Sequence, residues 1–92
     1  LMISGDAHMV AIDDGTNTNY SDIPGPGFPL VHAAALDRPG SVKGGPYSEG
    51  TSGGGGRYAT MDIVDDGDQM TVTIRGLLWD NTELMSYSFT TP

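Results

Sequence analysis

Hydrophobic and polar residues alternate most clearly in the C-terminal third of the chain. Three runs, at residues 59–63, 70–75 and 84–89, carry apolar side chains at every second position. This period of two is typical of strands that bury one face. Short turns rich in Asp, Asn and Gly separate the runs. The pattern therefore predicts a mainly β chain that closes with an antiparallel three-stranded meander over residues 58–91.

The N-terminal half has a different pattern. Residues 1–12 are largely apolar and predict a strand that runs into a turn at Gly5. Residues 13–57 hold 11 of the 14 glycines and 5 of the 6 prolines, which predicts a long loop without a long helix. Within it, the apolar run 30–36 lies between prolines and predicts a short strand. The four glycines at 53–56 are interpreted as a flexible connector before the meander.

Charge and composition exclude several classes of function. The chain has 12 acidic and 4 basic residues and a net charge of −8, so it offers no nucleic-acid-binding surface. No apolar run is long enough for a transmembrane segment. The absence of cysteine excludes disulfides and thiolate metal ligands within these residues. An acidic chain of this kind needs bound cations if it is to accept an anionic phosphate ester.

The most informative residues are Asp6 and His8, which follow Gly5 at a spacing of two. At the end of a strand, a carboxylate and an imidazole so spaced can converge on one cation. Oxygen and imidazole donors suit iron, manganese or zinc, or a mixed site with calcium. The same residues also fit a plain turn, in which Asp6 caps a backbone amide and His8 is hydrogen-bonded. The sequence leaves both interpretations open.

Segments along the chain resemble one enzyme family. Ser4-Gly5-Asp6-Ala7-His8 resembles the last metal-binding motif, Gly-Asp-x-His, of the PhoD-like phosphatases (alkaline phosphatase D), a branch of the calcineurin-like metallophosphoesterases. Residues 32–41 and 43–50 resemble the stretch that follows this motif in one subgroup. Gly56-Arg57-Tyr58 and the strands after it resemble the closing meander of the same proteins. By this resemblance, residues 1–92 are the C-terminal part of a single metallophosphoesterase domain.

The resemblance implies an α+β parent domain, a two-sheet αββα sandwich with two or more metal ions. It implies hydrolysis of phosphate monoesters or diesters with iron and calcium as cofactors, and a periplasmic or secreted location. Asp6 and His8 would be metal ligands, and the other ligands would lie in an N-terminal part of the same domain. That missing part and a phosphate ester substrate are the expected partners. We therefore expect residues 1–92 alone to be inactive.

Three further residues are candidates for the phosphate site or for supporting the ligands. His32 lies in an apolar run and is either a hydrogen-bonded core histidine or part of the site. Arg38 and Lys43 are two of only four basic residues, and such side chains bind phosphate, Arg through two parallel hydrogen bonds. They could equally pair with Asp37 or Glu49. The sequence does not decide between these roles.

One other acidic segment, Asp13-Asp14-Gly15-Thr16-Asn17, is rich in oxygen donors but lacks the spacing of an EF-hand loop. It predicts a surface turn. The acidic, glycine-rich composition also leaves a second hypothesis for the whole chain, a non-catalytic β-rich surface or assembly module that binds calcium. Metal analysis of the full-length protein would separate this module from the phosphatase.

Overall fold

A computed structural model describes all of residues 1–92 and consists of strands and loops without a helix. The mainly β prediction is confirmed. Seven strands form a four-stranded mixed sheet and a three-stranded antiparallel sheet. The strands are β1 (Met2–Ser4), β2 (Met9–Asp13), β3 (Leu30–His32), β4 (Thr51–Gly53), β5 (Arg57–Asp65), β6 (Met70–Leu78) and β7 (Glu83–Thr91). Since the chain forms no helix, it has none long and apolar enough to cross a membrane.

The three-stranded sheet is the predicted meander, in the order β5-β6-β7. Its register aligns apolar residues across the strands, since Val72 pairs with both Ile63 and Phe89. In the first turn, the Asp66 carboxylate accepts hydrogen bonds from the backbone amides of Asp68 and Gln69, at 2.9 and 2.8 Å. Local turn chemistry and strand periodicity therefore specify the same structure here.

The four-stranded sheet has the order β1-β3-β2-β4. β1 runs parallel to β3, which places Ser4 beside His32, whereas β2 is antiparallel to both of its neighbours. The apolar run at 1–12 is therefore two strands joined by a turn at residues 5–8. This turn follows the carboxyl end of β1, next to the carboxyl end of the parallel strand β3.

Two predictions for the long loop need correction. The expected strand at 30–36 ends at His32, because the backbone beyond it bonds elsewhere: Ala35 O and Leu36 O accept the amides of Arg57 and Gly56, at 3.2 and 3.1 Å. The glycine run is also not a free connector. Gly53 belongs to β4, and a Cβ there would lie 2.9 Å from the Ser41 Cα, so this glycine is packed against residues 41–42.

The two sheets pack through one apolar core. Its buried members are Val10, Ile12 and Val31 from the first sheet and Val72, Ile74 and Met85 from the meander. Gly76 lies in the middle of β6, where a Cβ would stand 2.4 Å from the Val10 Cγ1 atom. A glycine in this strand is explained by that close approach, because any side chain would push β2 away.

β2 is the central strand of the molecule, and all of Met9–Asp13 is buried. The meander covers one face, since β2 contacts β5, β6 and β7. The segment 43–48 covers the other face: the Ser48 amide donates to Asp13 Oδ2 at 2.8 Å, and the Lys43 amide lies 3.3 Å from the Met9 sulfur. This arrangement explains why β2 shows a continuous apolar run instead of alternation.

Candidate metal-binding turn

The turn between β1 and β2 carries the predicted metal ligands in an unusual backbone conformation. Asp6 and His8 both have positive φ, at 64° and 56°. Residues other than glycine adopt this left-handed region at a cost of about 1–3 kcal/mol each and keep it only when their surroundings enforce it. Contacts from outside the turn must therefore hold these two residues in place.

Asp6 and His8 present their donor atoms side by side. His8 Nε2 lies 3.9 Å from Asp6 Oδ1, with the Asp6 side chain fully exposed and that of His8 28% exposed. Two metal bonds of about 2.0–2.2 Å each just span this gap, at an angle at the metal wider than tetrahedral, so both atoms lie within reach of one cation. No backbone amide donates to Asp6, in contrast to the capping alternative. No third His, Asp or Glu completes a cluster of metal-binding size with them.

His32 lies at the carboxyl end of β3, paired with Ser4. Its ring meets the ring of Tyr47 edge-on, with the centroids 5.6 Å apart. The Nδ1 atom is buried and has no hydrogen-bond partner, which differs from the hydrogen-bonded core histidine that was one of the two alternatives. Burial lowers the pKa of His32, so the ring is neutral at pH 7. A neutral imidazole with a free nitrogen retains the capacity to accept a hydrogen bond.

Lys43 does not form the ion pair with Glu49 that its sequence position allowed. Its ammonium donates to the backbone oxygen of Ala7 at 2.8 Å, and to the backbone and hydroxyl oxygens of Ser41, both at 3.2 Å. A lysine has three N–H donors, and these contacts use all of them. The ammonium is therefore bonded, in this conformation, to the turn that carries Asp6 and His8 and to Ser41, and not to an acidic side chain.

Arg38 is placed differently from Lys43. Its side chain is exposed and takes part in none of the ion pairs of the chain, so the alternative pairing with Asp37 is absent. It also donates no hydrogen bond to the turn at residues 5–8. The Arg38 guanidinium is therefore available to bind an anion from solution.

Asp13 is a key residue that the sequence did not reveal, because segment 13–17 predicted a surface turn. The structure buries Asp13 completely. Its Oδ1 accepts the amides of Gly15 and Asn17 at 2.9 and 3.0 Å; its Oδ2 accepts the Asn17 side chain and the Ser48 amide, both at 2.8 Å. Burial raises the pKa of Asp13, but these hydrogen bonds outweigh it and hold the pKa below its usual value. The sequence feature that could have indicated this burial is that the aspartate directly follows a continuous apolar run.

The chain alone forms no pocket of ligand size. No known protein family, curated protein or solved structure matches the chain.

Proposed function

We propose that this chain is the C-terminal segment of a PhoD-like phosphatase or phosphodiesterase that hydrolyses phosphate esters with bound metal ions. The parent domain is an αββα two-sheet sandwich, the metals are iron and calcium, with zinc or manganese as substitutes, and the enzyme acts in the periplasm or outside the cell. Asp6 and His8 are metal ligands in this proposal. Residues of an N-terminal part of the same domain complete the site.

One observation carries the proposal. The only two residues of the Gly-Asp-x-His motif with metal-binding side chains project their donor atoms 3.9 Å apart from one turn, and the aspartate is free of any capping role. The turn follows the carboxyl end of β1 and lies next to the carboxyl end of the parallel strand β3, the kind of sheet edge where α/β proteins place their ligands. A carboxylate and an imidazole there have the donor chemistry of iron, zinc and manganese sites.

The edge of the first sheet is compatible with a larger parent domain. β1 is an edge strand with one partner, β3, and its Ile3 side chain is 62% exposed. Such an edge offers unpaired N–H and C=O groups to a further strand. A parallel strand of the N-terminal part, paired with β1, would extend the sheet and bring additional ligands to the same carboxyl ends.

The chain's own residues define what it contributes to catalysis. When bound, the metal ions supply Lewis acidity toward the phosphoryl oxygens and lower the pKa of water. Asp6 adds a negative charge that holds the cation, and the His8 imidazole fixes its position. Arg38, exposed in the loop that follows β3, is available for two parallel hydrogen bonds to the substrate phosphate. The net charge of −8 makes the cations necessary for accepting an anionic ester.

The test is metal content and turnover of the full-length protein with p-nitrophenyl phosphate and bis-p-nitrophenyl phosphate. Asp6→Asn and His8→Ala should lower metal stoichiometry and turnover together. Asp14→Asn is the matched control, since it neutralises an aspartate of a different turn. If both ligand variants retain full metal and full activity while folded, the proposal is wrong. A protein that binds calcium but shows no turnover would instead support the non-catalytic module.

A further inference from the structure

We propose that Lys43 is a positioning residue that holds the turn Asp6-Ala7-His8 in its metal-binding conformation. This inference rests on the proposed function, because it concerns the residues that would bind the metal. It assigns Lys43 a role different from the phosphate binding that its charge suggested.

The first argument is where the ammonium binds. Ala7 lies between the two ligands, and its backbone oxygen accepts the Lys43 ammonium at 2.8 Å. Two further bonds tie the same ammonium to Ser41, at 3.2 Å each. The turn is thereby connected to a loop 36 positions further along the chain. Bonds to a charged donor are stronger than those between neutral groups, which suits a contact that must stabilise strained backbone.

The second argument is that neighbouring contacts act on the same turn. A Cβ at Gly40 would lie 1.8 Å from the His8 backbone oxygen, so the backbone at residue 40 is pressed directly against His8. The Lys43 amide contacts the Met9 sulfur at 3.3 Å, one residue beyond the turn. Residues 40–43 thus contact three successive residues, Ala7 and His8 in the turn and Met9 at the start of β2. Together they supply the outside contacts that the left-handed φ values of Asp6 and His8 require.

The third argument distinguishes the effect of the Lys43 contact on the turn from the effect of the Lys43 charge on the metal. A lysine beside a cation site repels the metal, so its charge alone would weaken metal binding. Removing that charge should then tighten binding if Lys43 has no other role. If Lys43 acts by fixing the turn, its removal should weaken binding, because residues that orient metal ligands typically contribute 10–100-fold to affinity. The two roles therefore predict changes of opposite sign.

The experiment uses the full-length protein stripped of metal and titrated with Mn²⁺ in chelator-buffered solution. Lys43→Met should raise the half-saturating Mn²⁺ concentration about tenfold, with kcat recovered at saturating Mn²⁺. In the metal-free protein, the same variant should speed amide hydrogen exchange in residues 7–9. Lys43→Arg retains a donor and should restore much of the affinity. Arg38→Met removes a positive charge that does not contact the turn. It should leave the half-saturating Mn²⁺ concentration and the hydrogen exchange of residues 7–9 unchanged.

Several results would overturn the inference. Unchanged or tighter Mn²⁺ binding in Lys43→Met shows that the side chain does not position the ligands. A raised KM with unchanged metal affinity assigns Lys43 to the substrate. Equal losses in Lys43→Met and Arg38→Met show that the loss does not come from the contact between Lys43 and the turn. The proposed function itself is wrong if Asp6→Asn and His8→Ala leave Mn²⁺ binding intact. If those two variants lose Mn²⁺ binding but Lys43→Met does not, only the role of Lys43 is contradicted.

Discussion

Asp13→Asn tests whether the buried carboxylate organises the fold. The substitution keeps Oδ1, which accepts two backbone amides, but replaces Oδ2 with an NH₂ group. That group would face the Asn17 side-chain nitrogen and the Ser48 amide, both 2.8 Å from the present oxygen. Two charge-assisted hydrogen bonds are lost and buried donors are left facing each other, which costs about 3–5 kcal/mol. A domain of this size is stable by only about 0.05–0.15 kcal/mol per residue, so the loss is a large fraction of the total.

Urea denaturation at pH 7 measures the effect, with Asp14→Asn as the control. Asp14 carries the same charge, but its hydrogen bonds, from the Thr16 amide and hydroxyl, both go to Oδ1. An asparagine there retains that acceptor, so its denaturation midpoint should stay close to that of the original protein. The low pKa of Asp13 adds a signature: its stabilisation is present above about pH 4 and is lost as the pH falls through the folded-state pKa. Equal midpoints for the two variants would refute the organising role.

Other residues give further predictions. Gly76→Ala should destabilise the fold by about 1–3 kcal/mol in thermal melts, because the added Cβ meets Val10; an unchanged melting temperature would show that the sheets are not in close contact. The lowered pKa of His32 means that the unfolded state binds protons more readily than the folded state, so stability should fall as the pH drops below about 6.5, the pKa of an unperturbed histidine. His32→Leu should flatten this decline, and an identical pH profile would contradict the assignment. Arg38→Ala should raise KM for phosphate esters about tenfold with metal content unchanged; an unchanged KM would exclude substrate binding.

The meander was predictable because its information is local. Each strand alternates, the first turn carries Asp and Gly and the second Asp and Asn, and consecutive strands pair. β4 was missed because Thr51-Ser52-Gly53 has no apolar alternation and becomes a strand only by pairing with β2. The end of β3 at His32 depends likewise on a distant segment, since Arg57 and the residue before it take the hydrogen bonds that would have continued the strand.

The candidate site also has a part that was predictable from local sequence and a part that was not. Asp6 and His8 are two positions apart, so their convergence followed from one motif. The contact of Lys43 with Ala7 spans 36 positions and depends on how the long loop returns to the sheet. No property of Lys43 in the sequence distinguishes a side chain that binds a backbone carbonyl from one that binds a phosphate. Its charge was visible from the sequence, but its partner was not.

The central place of β2 has a consequence for biosynthesis. Its partners are β3 and β4 in the first sheet and the meander across the core, and every one of them follows it in the sequence. On the ribosome, the strands of this chain that cover Met9–Asp13 are therefore all translated after it, and the meander is complete only when residues past 85 have been added. Such non-local pairing is slow and leaves strands open to aggregation in the meantime. A nascent chain arrested after residue 60 should accordingly bind chaperones through this segment, and release from them should require completion of the meander.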